Sequence, residues 1–276
     1  MKKIIICLFI FTGCVCLFSC NGDKKALPNE PKPLNISIYL DLSDRVVREG
    51  EPNQTYRDTA IVNFLVDYFV KETLGPTILK SDNKIKVIFY PTPNDSEIAT
   101  LASGLSVDIG QKQGVEKRKA LDEMKEVFQN NLAQIYQEVI KENNFHGCDI
   151  WDFFSNKKVD QLCVKKGARN IIVILTDGYL YEEKNKIKLG NAYNYILPKT
   201  LHQQESLIDK RNGELKNQGI EILMLEVNPY QPADRDKMVN LLENWFASMG
   251  VEKYVVAETD ANIPNTKTII QNFLDN

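Results

Sequence analysis

The chain is poor in the residues that build metal clusters and disulfide frameworks. It holds 2 histidines in 276 residues, and of its 6 cysteines only Cys148 and Cys163 lie beyond the N-terminal segment. The 34 basic and 37 acidic side chains give a net charge of −3 without a basic cluster, so we expect no nucleic-acid partner. A Gly-rich phosphate loop and an internal repeat are also absent from the sequence.

The sequence offers no clear pair of nucleophile and general base. His146 and Cys148 lie two residues apart, but no third group is evident that would orient the imidazole. The other histidine, His202, is expected at a solvated helix start. The sequence therefore favours a binding protein over an enzyme.

The N-terminal residues indicate export and lipid attachment. An apolar run at 4–11 follows two lysines and is too short to span a membrane as a helix. The run leads to the tetrapeptide Leu-Phe-Ser-Cys at 17–20, which resembles the bacterial lipobox. The resemblance implies cleavage before Cys20 and acylation of its thiol, so that residues 1–19 are a lipoprotein signal peptide. An ordinary secretory signal is the alternative.

The segment after Cys20 predicts a tether. Residues 20–34 are polar and contain three prolines, a composition typical of a flexible linker. An acylated chain would be anchored in the cell envelope, outside the cytoplasmic membrane, and we expect the outer membrane. Residues 35–276 are long enough for one large α/β domain with a sizeable core.

Strand and helix signals alternate along this domain. Buried strands are predicted at 35–41, 84–90, 170–175, 220–226 and 253–257, with a short edge strand at 104–109. Helices are predicted at 58–72, 117–142, 149–164, 201–216, 233–249 and 265–274. Such alternation means parallel pairing through right-handed crossovers. The predicted fold is α/β: a doubly wound, mostly parallel central sheet flanked by helices, with one short antiparallel edge strand.

Two acidic motifs follow two of the predicted strands. Asp41-Leu42-Ser43-Asp44-Arg45 comes directly after the apolar run 36–40, and Thr176-Asp177-Gly178 comes directly after the apolar run 171–175. Open α/β sheets build ligand sites where parallel strands end. The sequence therefore predicts a ligand site that contains Asp41 and Asp177.

These two motifs resemble a von Willebrand factor type A domain. In that family the first motif is Asp-x-Ser-x-Ser, and a distant Thr and Asp complete a metal-ion-dependent adhesion site. Asp41 and Ser43 match its first two positions, and Asp177 matches the distal acid. The resemblance implies Mg²⁺ or another divalent cation, held by Asp41, Ser43 and Asp177 and open to a carboxylate of the ligand, because such cations prefer oxygen ligands.

The sequence departs from the family pattern at two positions. Arg45 stands where the second Ser is expected, and the turn 147–151 places Cys148 where the family has Thr. A thiol is a poor magnesium ligand. Asp149, the next residue, is an acid that could contribute to the site. We predict that the site is degenerate, with no cofactor required, and that Arg45 hydrogen-bonds both Asp41 and Asp177 in place of the ion.

Two alternatives to this interpretation stay open from the residues alone. The first is a weak, unconventional cation site that uses Asp41, Ser43, Asp177 and Asp149. In the second, Arg45 faces the solvent.

The two cysteines beyond the N-terminal segment are predicted to be free thiols. If residues 149–163 form one helix, Cys148 and Cys163 lie about 20 Å apart at about 1.5 Å per residue. A disulfide requires Cα atoms within roughly 7 Å. A helix break at 155–158 would remove this argument.

The resemblance implies a binding module that presents its upper rim to an envelope or extracellular protein. We expect that rim at the loop 42–56, the turn 146–149 and the tyrosine-rich segment 179–199, since tyrosine suits an interface. The alternative function is a metal-dependent envelope hydrolase that uses Asp41, Asp149 and Asp177, with Asp44 as a further ligand.

Overall fold

The computed structural model describes residues 31–276, except 51, 76–77, 144, 146–147, 181–186, 190–191 and 195–212. For 187–189 and 192–194 it describes the backbone alone. Contacts group Lys32–Asn276 into one unit.

Strands and helices alternate along the described chain, as the sequence predicts. The strands are β1 Leu34–Leu40, β2 Lys84–Ile88, β3 Ser106–Asp108, β4 Arg169–Leu175, β5 Ile187–Leu189, β6 Ala192–Asn194, β7 Ile220–Val227 and β8 Lys253–Glu258. The α-helices are α1 Gln54–Thr73, α2 Ser96–Ser103, α3 Val115–Glu142, α4 Ile150–Ser155, α5 Lys158–Cys163, α6 Arg235–Ser248 and α7 Ile263–Asp275. Short 3-10 helices cover Asp44–Val47, Ile78–Lys80, Ile109–Gln111 and Pro232–Asp234.

Six strands form the central sheet in the order β3-β2-β1-β4-β7-β8. Every neighbouring pair is parallel except β2 and β3, which pair antiparallel. The predicted fold class is therefore confirmed, including the short antiparallel edge strand. The parallel strands all end at one side of the sheet, here called the carboxyl edge; the opposite side is the amino edge.

The central strands are apolar because helices cover both of their faces. All seven residues of β1 are buried. Ile36 and Ile38 pack in a cluster with residues of α1, α3 and α7, whereas Tyr39 packs in a second cluster with residues of α4, α5 and α6. The chain leaves β1 toward β2 and returns to β4 on the other side, so the order of strands reverses between β1 and β4. This point of reversal is where open α/β sheets bind ligands.

The predicted helix 149–164 is two helices. Asn156 ends α4 by donating its backbone N–H to the Asp152 carbonyl, and Lys157 adopts a left-handed φ of 58° before α5 begins. The assumption of a continuous helix was wrong. Even so, Cys148 and Cys163 are free and buried, as predicted.

Two further predictions concern the region after β4. The predicted helix 201–216 and the tyrosine-rich segment 179–199 lie largely outside the described residues. Where the backbone is described there, β5 and β6 pair antiparallel, so the prediction of an irregular segment was wrong at those positions. Among the described residues, no helix has both the length and the apolar character required to cross a membrane.

Candidate functional site

Asp41 directly follows β1 and is buried at the point where the strand order reverses. Its Oδ1 accepts a hydrogen bond from the backbone N–H of Ser43 at 2.7 Å, and its Oδ2 accepts one from Oγ1 of Thr176 at 2.8 Å. Its own backbone N–H donates to the carbonyl of Leu175 at 3.1 Å. The two predicted motifs are thus in direct contact through Asp41 and Thr176.

Arg45 is turned inward by the 3-10 helix Asp44–Val47 and is only 2% exposed. Its Nε donates to the carbonyl of Asp41 at 3.1 Å and lies 3.5 Å from Oδ2 of the same residue. Its Nη2 donates to the carbonyl of Leu175, also at 3.1 Å. The alternative in which Arg45 faces the solvent is therefore wrong.

The second carboxylate at Arg45 is Asp58 and not Asp177. Nη2 of Arg45 lies 2.7 Å from Oδ2 of Asp58, and Nη1 lies 3.4 Å from Oδ1. Asp58 is fully buried on α1 and also accepts hydrogen bonds from Gln54 at 2.9 Å and from the hydroxyl of Tyr136 at 2.8 Å. Arg45 thus forms an ion pair with the carboxylate of Asp41, but its hydrogen bond to this residue goes to the backbone carbonyl. The carboxylate that it hydrogen-bonds is Asp58 and not the predicted Asp177.

The arginine stays a cation in this environment. Burial by itself would lower the pKa of Arg45, but the carboxylates of Asp58 and Asp41 more than offset that effect and raise it. Burial raises the pKa of Asp58, and Arg45, Gln54 and Tyr136 act in the opposite direction. Each of these donors favours the carboxylate form of Asp58.

A second buried ion pair lies beside the first. Nε and Nη2 of Arg57 donate to the two carboxylate oxygens of Glu226 at 2.7 and 2.8 Å. Glu226 has a left-handed φ of 69° in an irregular part of β7, where its side chain is buried. Gln54 donates to both Asp58 and Glu226 and so links the two pairs. Sequence analysis missed Asp58, Arg57 and Glu226.

Asp177 is buried two residues after the end of β4. Its Oδ1 accepts a long hydrogen bond of 3.4 Å from the backbone N–H of Tyr179. Burial, and secondly the nearby carboxylate of Asp41, raise the pKa of Asp177 to about 7, although Arg45 and Arg48 act in the opposite direction. A carboxyl group with this pKa changes from the protonated to the ionised form near neutral pH.

The remaining predicted site residues have structural contacts. Ser43 supplies the backbone N–H that binds Asp41. Sγ of Cys148 lies 3.5 Å from the hydroxyl of Tyr39, and burial raises the pKa of the thiol well above its usual value. The carboxylate of Asp149 caps α4 by accepting the N–H of Asp152 at 2.8 Å.

These residues do not fit the divalent cation that the family resemblance implies. Both carboxylate oxygens of Asp41 accept hydrogen bonds from the protein, and the cationic Arg45 occupies the position of the expected serine. Cys148 offers a protonated thiol rather than a hydroxyl. Within the part of the chain that the structure describes, no three His, Cys, Asp or Glu side chains are grouped so that they could hold a metal ion.

Above this buried cluster, three side chains stack at the surface of the carboxyl edge. The guanidinium of Arg48 lies over the ring of Tyr230, 3.8 Å from its centroid. The rings of Tyr230 and Tyr179 stack at 5.7 Å, and the Tyr179 hydroxyl accepts the backbone N–H of Tyr230 at 2.8 Å. The Arg48–Tyr230–Tyr179 column joins the loops that follow β1, β4 and β7. Of the predicted rim, residues 146–147 and most of 179–199 lie outside the described residues.

Comparison with known proteins gives structural similarity at low identity. No family model matches the chain, and no curated protein matches it. An aerotolerance-related membrane protein from Bacteroides fragilis is 13% identical with a TM-score of 0.44, over 88% of this chain and 98% of its own. The conserved hypothetical protein BatB from Bacteroides thetaiotaomicron is 12% identical with a TM-score of 0.42, over 88% of this chain and 100% of its own. The minor pilin PilB from Streptococcus sanguinis is 15% identical with a TM-score of 0.42, over 90% of this chain and 63% of its own. Similarity at this level assigns neither family nor function.

Proposed function

We propose that this chain is a lipid-anchored cell-envelope protein whose α/β domain binds another envelope or extracellular protein at its carboxyl edge. The binding needs no divalent cation, because Arg45 takes the place of the ion. Acylated Cys20 holds the chain outside the cytoplasmic membrane, at the outer membrane. The observation that carries the proposal is the buried position of Arg45 between Asp41 and Asp58.

The charge of Arg45 argues against a cation at the same place. Two unit charges about 4 Å apart interact by about 4 kcal/mol at an effective dielectric constant of about 20. A divalent ion beside the guanidinium would meet roughly twice that repulsion. The hydrogen bonds that Asp41 accepts from Ser43 and Thr176 would also have to break. Both effects oppose the binding of a divalent cation beside Arg45.

The Arg48–Tyr230–Tyr179 column is the proposed contact surface. Tyr230 is 59% exposed, yet Arg48, Tyr179 and Asp44 all contact it, so its ring is held in position before a partner arrives. Tyrosine and arginine are enriched among the residues that contribute most to binding between proteins. A surface that is ordered in advance loses less conformational entropy on binding.

The hydrolase alternative receives no support from the geometry. It requires Asp41, Asp149 and Asp177 to share one metal ion. The carboxylate of Asp149 instead caps α4, and Asp41 accepts two hydrogen bonds from the protein itself. We therefore propose a binding module and no hydrolytic reaction.

Photo-crosslinking in intact cells tests the proposal. A benzoylphenylalanine residue in place of Tyr230 should give a discrete covalent adduct with a second protein, and the adduct should persist when a chelator removes divalent cations. The matched control is the same residue in place of Val127, which is 39% exposed on α3. The control position should give no such adduct.

Two outcomes would contradict the proposal. Equal adducts at positions 230 and 127, or none at either, would mean that the carboxyl edge is not the contact surface. An adduct that disappears with the chelator would restore a metal-dependent site and exclude the role assigned to Arg45. Arg48→Ala should reduce the adduct at position 230, because the aromatic side chain at that position then loses the guanidinium that covers Tyr230 in the unmodified chain.

A further inference from the structure

The amino edge of the domain carries the chain's entry point. Leu34 starts β1, and its backbone N–H donates to Oδ1 of Asn83 at 2.8 Å. The carbonyl of Pro33, one residue earlier, accepts the N–H of Arg169 at 2.9 Å. The preceding chain, including Cys20, is therefore attached at the amino edge, on the opposite side of the sheet from Asp41 and the Arg48–Tyr230–Tyr179 column.

Large apolar side chains are exposed at the same edge. Leu79 is 68% exposed in the 3-10 helix before β2, and Val115 is 85% exposed at the first position of α3. They line one open groove of about 700 Å³, together with Leu74, Gly75, Ile78, Gly114 and Arg118. We call Leu79, Val115 and this groove the amino-edge patch.

The patch is rigidly built although its side chains are exposed. The buried amine of Lys117 donates to the carbonyls of Leu79 and Ser81, both at 2.9 Å. These two bonds fix the start of α3 against the turn that carries Leu79. Lys117 therefore holds Leu79 and Val115 together at the amino edge.

We infer that the amino-edge patch lies against the lipid bilayer, with Leu79 and Val115 inserted among the headgroups. The inference rests on the proposed acylation of Cys20. Fourteen peptide steps separate Cys20 from Leu34, and a chain of that length reaches at most about 50 Å when extended and about 20 Å on average as a coil. An anchored domain is therefore joined to the membrane through this edge, with Leu34 at most about 50 Å from the acylated residue.

The charges beside the patch suit an interfacial position. Lys71 and Lys80 are exposed near it, where long side chains can direct their amines to lipid phosphates. Glu72 and Glu116 lie at the same edge and partly offset these cations. Insertion of the apolar side chains therefore dominates, and anionic lipid strengthens the contact only slightly. In this orientation the carboxyl edge faces away from the bilayer, toward a partner.

The test uses the full acylated chain reconstituted in vesicles of phosphatidylethanolamine and phosphatidylglycerol. An environment-sensitive fluorophore is attached to Val115→Cys, and nitroxide-labelled lipid serves as the quencher. The matched control is Val47→Cys, which is 48% exposed at the carboxyl edge. Cys148 and Cys163 are buried and stay unlabelled in the folded protein.

The expected result is a blue-shifted emission and loss of fluorescence at position 115, with neither change at position 47. Adding Leu79→Asp to the labelled Val115→Cys chain should abolish the quenching without unfolding the domain, because Leu79 is mostly exposed. Vesicles of phosphatidylcholine alone should give nearly the same quenching.

Other outcomes overturn the inference in distinguishable ways. If the chain floats with the vesicles but position 115 is not quenched, the anchor stands and the docking is wrong. Equal quenching at positions 115 and 47 would also exclude the proposed orientation. If the chain does not float, acylation at Cys20 is wrong, and the inference fails together with it.

Discussion

Nη2 of Arg45 lies 2.7 Å from Oδ2 of Asp58, and both side chains are buried. The pair joins the loop after β1 to α1 directly beneath the carboxyl edge. It also holds the Nε of Arg45 at 3.5 Å from Oδ2 of Asp41. Asp58 therefore stabilises the fold and also holds the cation at the site.

Replacing Asp58 should be far more costly than replacing an exposed acid on the same helix. Asp58→Ala leaves the buried guanidinium of Arg45 without its main counter-charge, and removal of one partner from a buried pair costs about 3–5 kcal/mol. Asp67 of α1 pairs with Lys125 at the surface, 54% exposed, and Asp67→Ala should cost about 1 kcal/mol or less. Denaturant unfolding measures both values.

A double variant checks that the cost comes from the pairing. The double variant Arg45→Met, Asp58→Leu removes both buried charges. Its loss of stability should be well below the sum of the losses measured for Arg45→Met and Asp58→Leu alone. Additive losses would mean that the two side chains do not stabilise each other.

The two cysteines should react slowly with thiol reagents in the folded protein. Both are buried, and burial raises the pKa of Cys163 to about 11 and that of Cys148 well above its usual value. The reactive thiolate is therefore scarce. We expect two thiols to appear only after unfolding, by reagent titration with mass spectrometry, whereas an added Val47→Cys should react at once. A native mass that shows a disulfide would contradict this.

The fold could be predicted because its signals are local. The apolar residues of β1 alternate with Asn35 and Ser37, and β4 ends in the continuous apolar run 171–175. The acids that follow these strands lie at the carboxyl edge by the geometry of any parallel sheet. The break between α4 and α5 falls at 155–158, where the sequence analysis left a break open. The sequence could not decide between a break and one helix, because Ser155, Asn156 and Lys157 are all tolerated within a helix. In the structure Asn156 ends α4, and Lys157 has a left-handed φ.

The partner of Arg45 was harder to predict. Asp58 lies three and four residues before Ile61 and Val62, so helical spacing alone puts this acid on the buried face of α1. A buried acid needs a cation as its partner, but Arg45 and Arg57 are both candidates to pair with Asp58. The choice depends on Glu226, which is 169 residues from Arg57 and is directed toward it by an irregular turn in β7.

The raised pKa of Asp177 predicts a loss of stability as the pH increases. The pKa of this carboxyl is about 7 in the folded protein and about 3.9 in an unfolded chain. Between these values the folded state binds more protons, so its stability falls by at most about 1.4 kcal/mol for each pH unit and levels off above about pH 8. Asp177→Asn should remove this part of the pH dependence, and it should gain stability relative to the unmodified protein as the pH rises.

Unfolding free energies of the two proteins, measured across that range, check the sign. Asp67→Asn, at an exposed acid of α1, is measured beside it as the comparison variant. A difference between Asp177→Asn and the unmodified protein that stays constant from about pH 4 to about pH 8 would mean that Asp177 ionises as an ordinary carboxyl.

Divalent cations should leave the thermal stability of the unmodified chain unchanged. Arg45 already compensates Asp41 and Asp58, and a ligand stabilises the folded state only in proportion to its binding. Arg45→Ser removes this charge and leaves Asp41, Asp58 and Asp177 buried at one end of the sheet. The variant should be less stable, but Mg²⁺ or Mn²⁺ at millimolar concentration should raise its melting temperature, and the additional change Asp41→Ala should cancel that rise. A metal-dependent rise in the unmodified chain that Asp41→Ala abolishes would instead establish a functional cation site and exclude the substitution of the ion by Arg45.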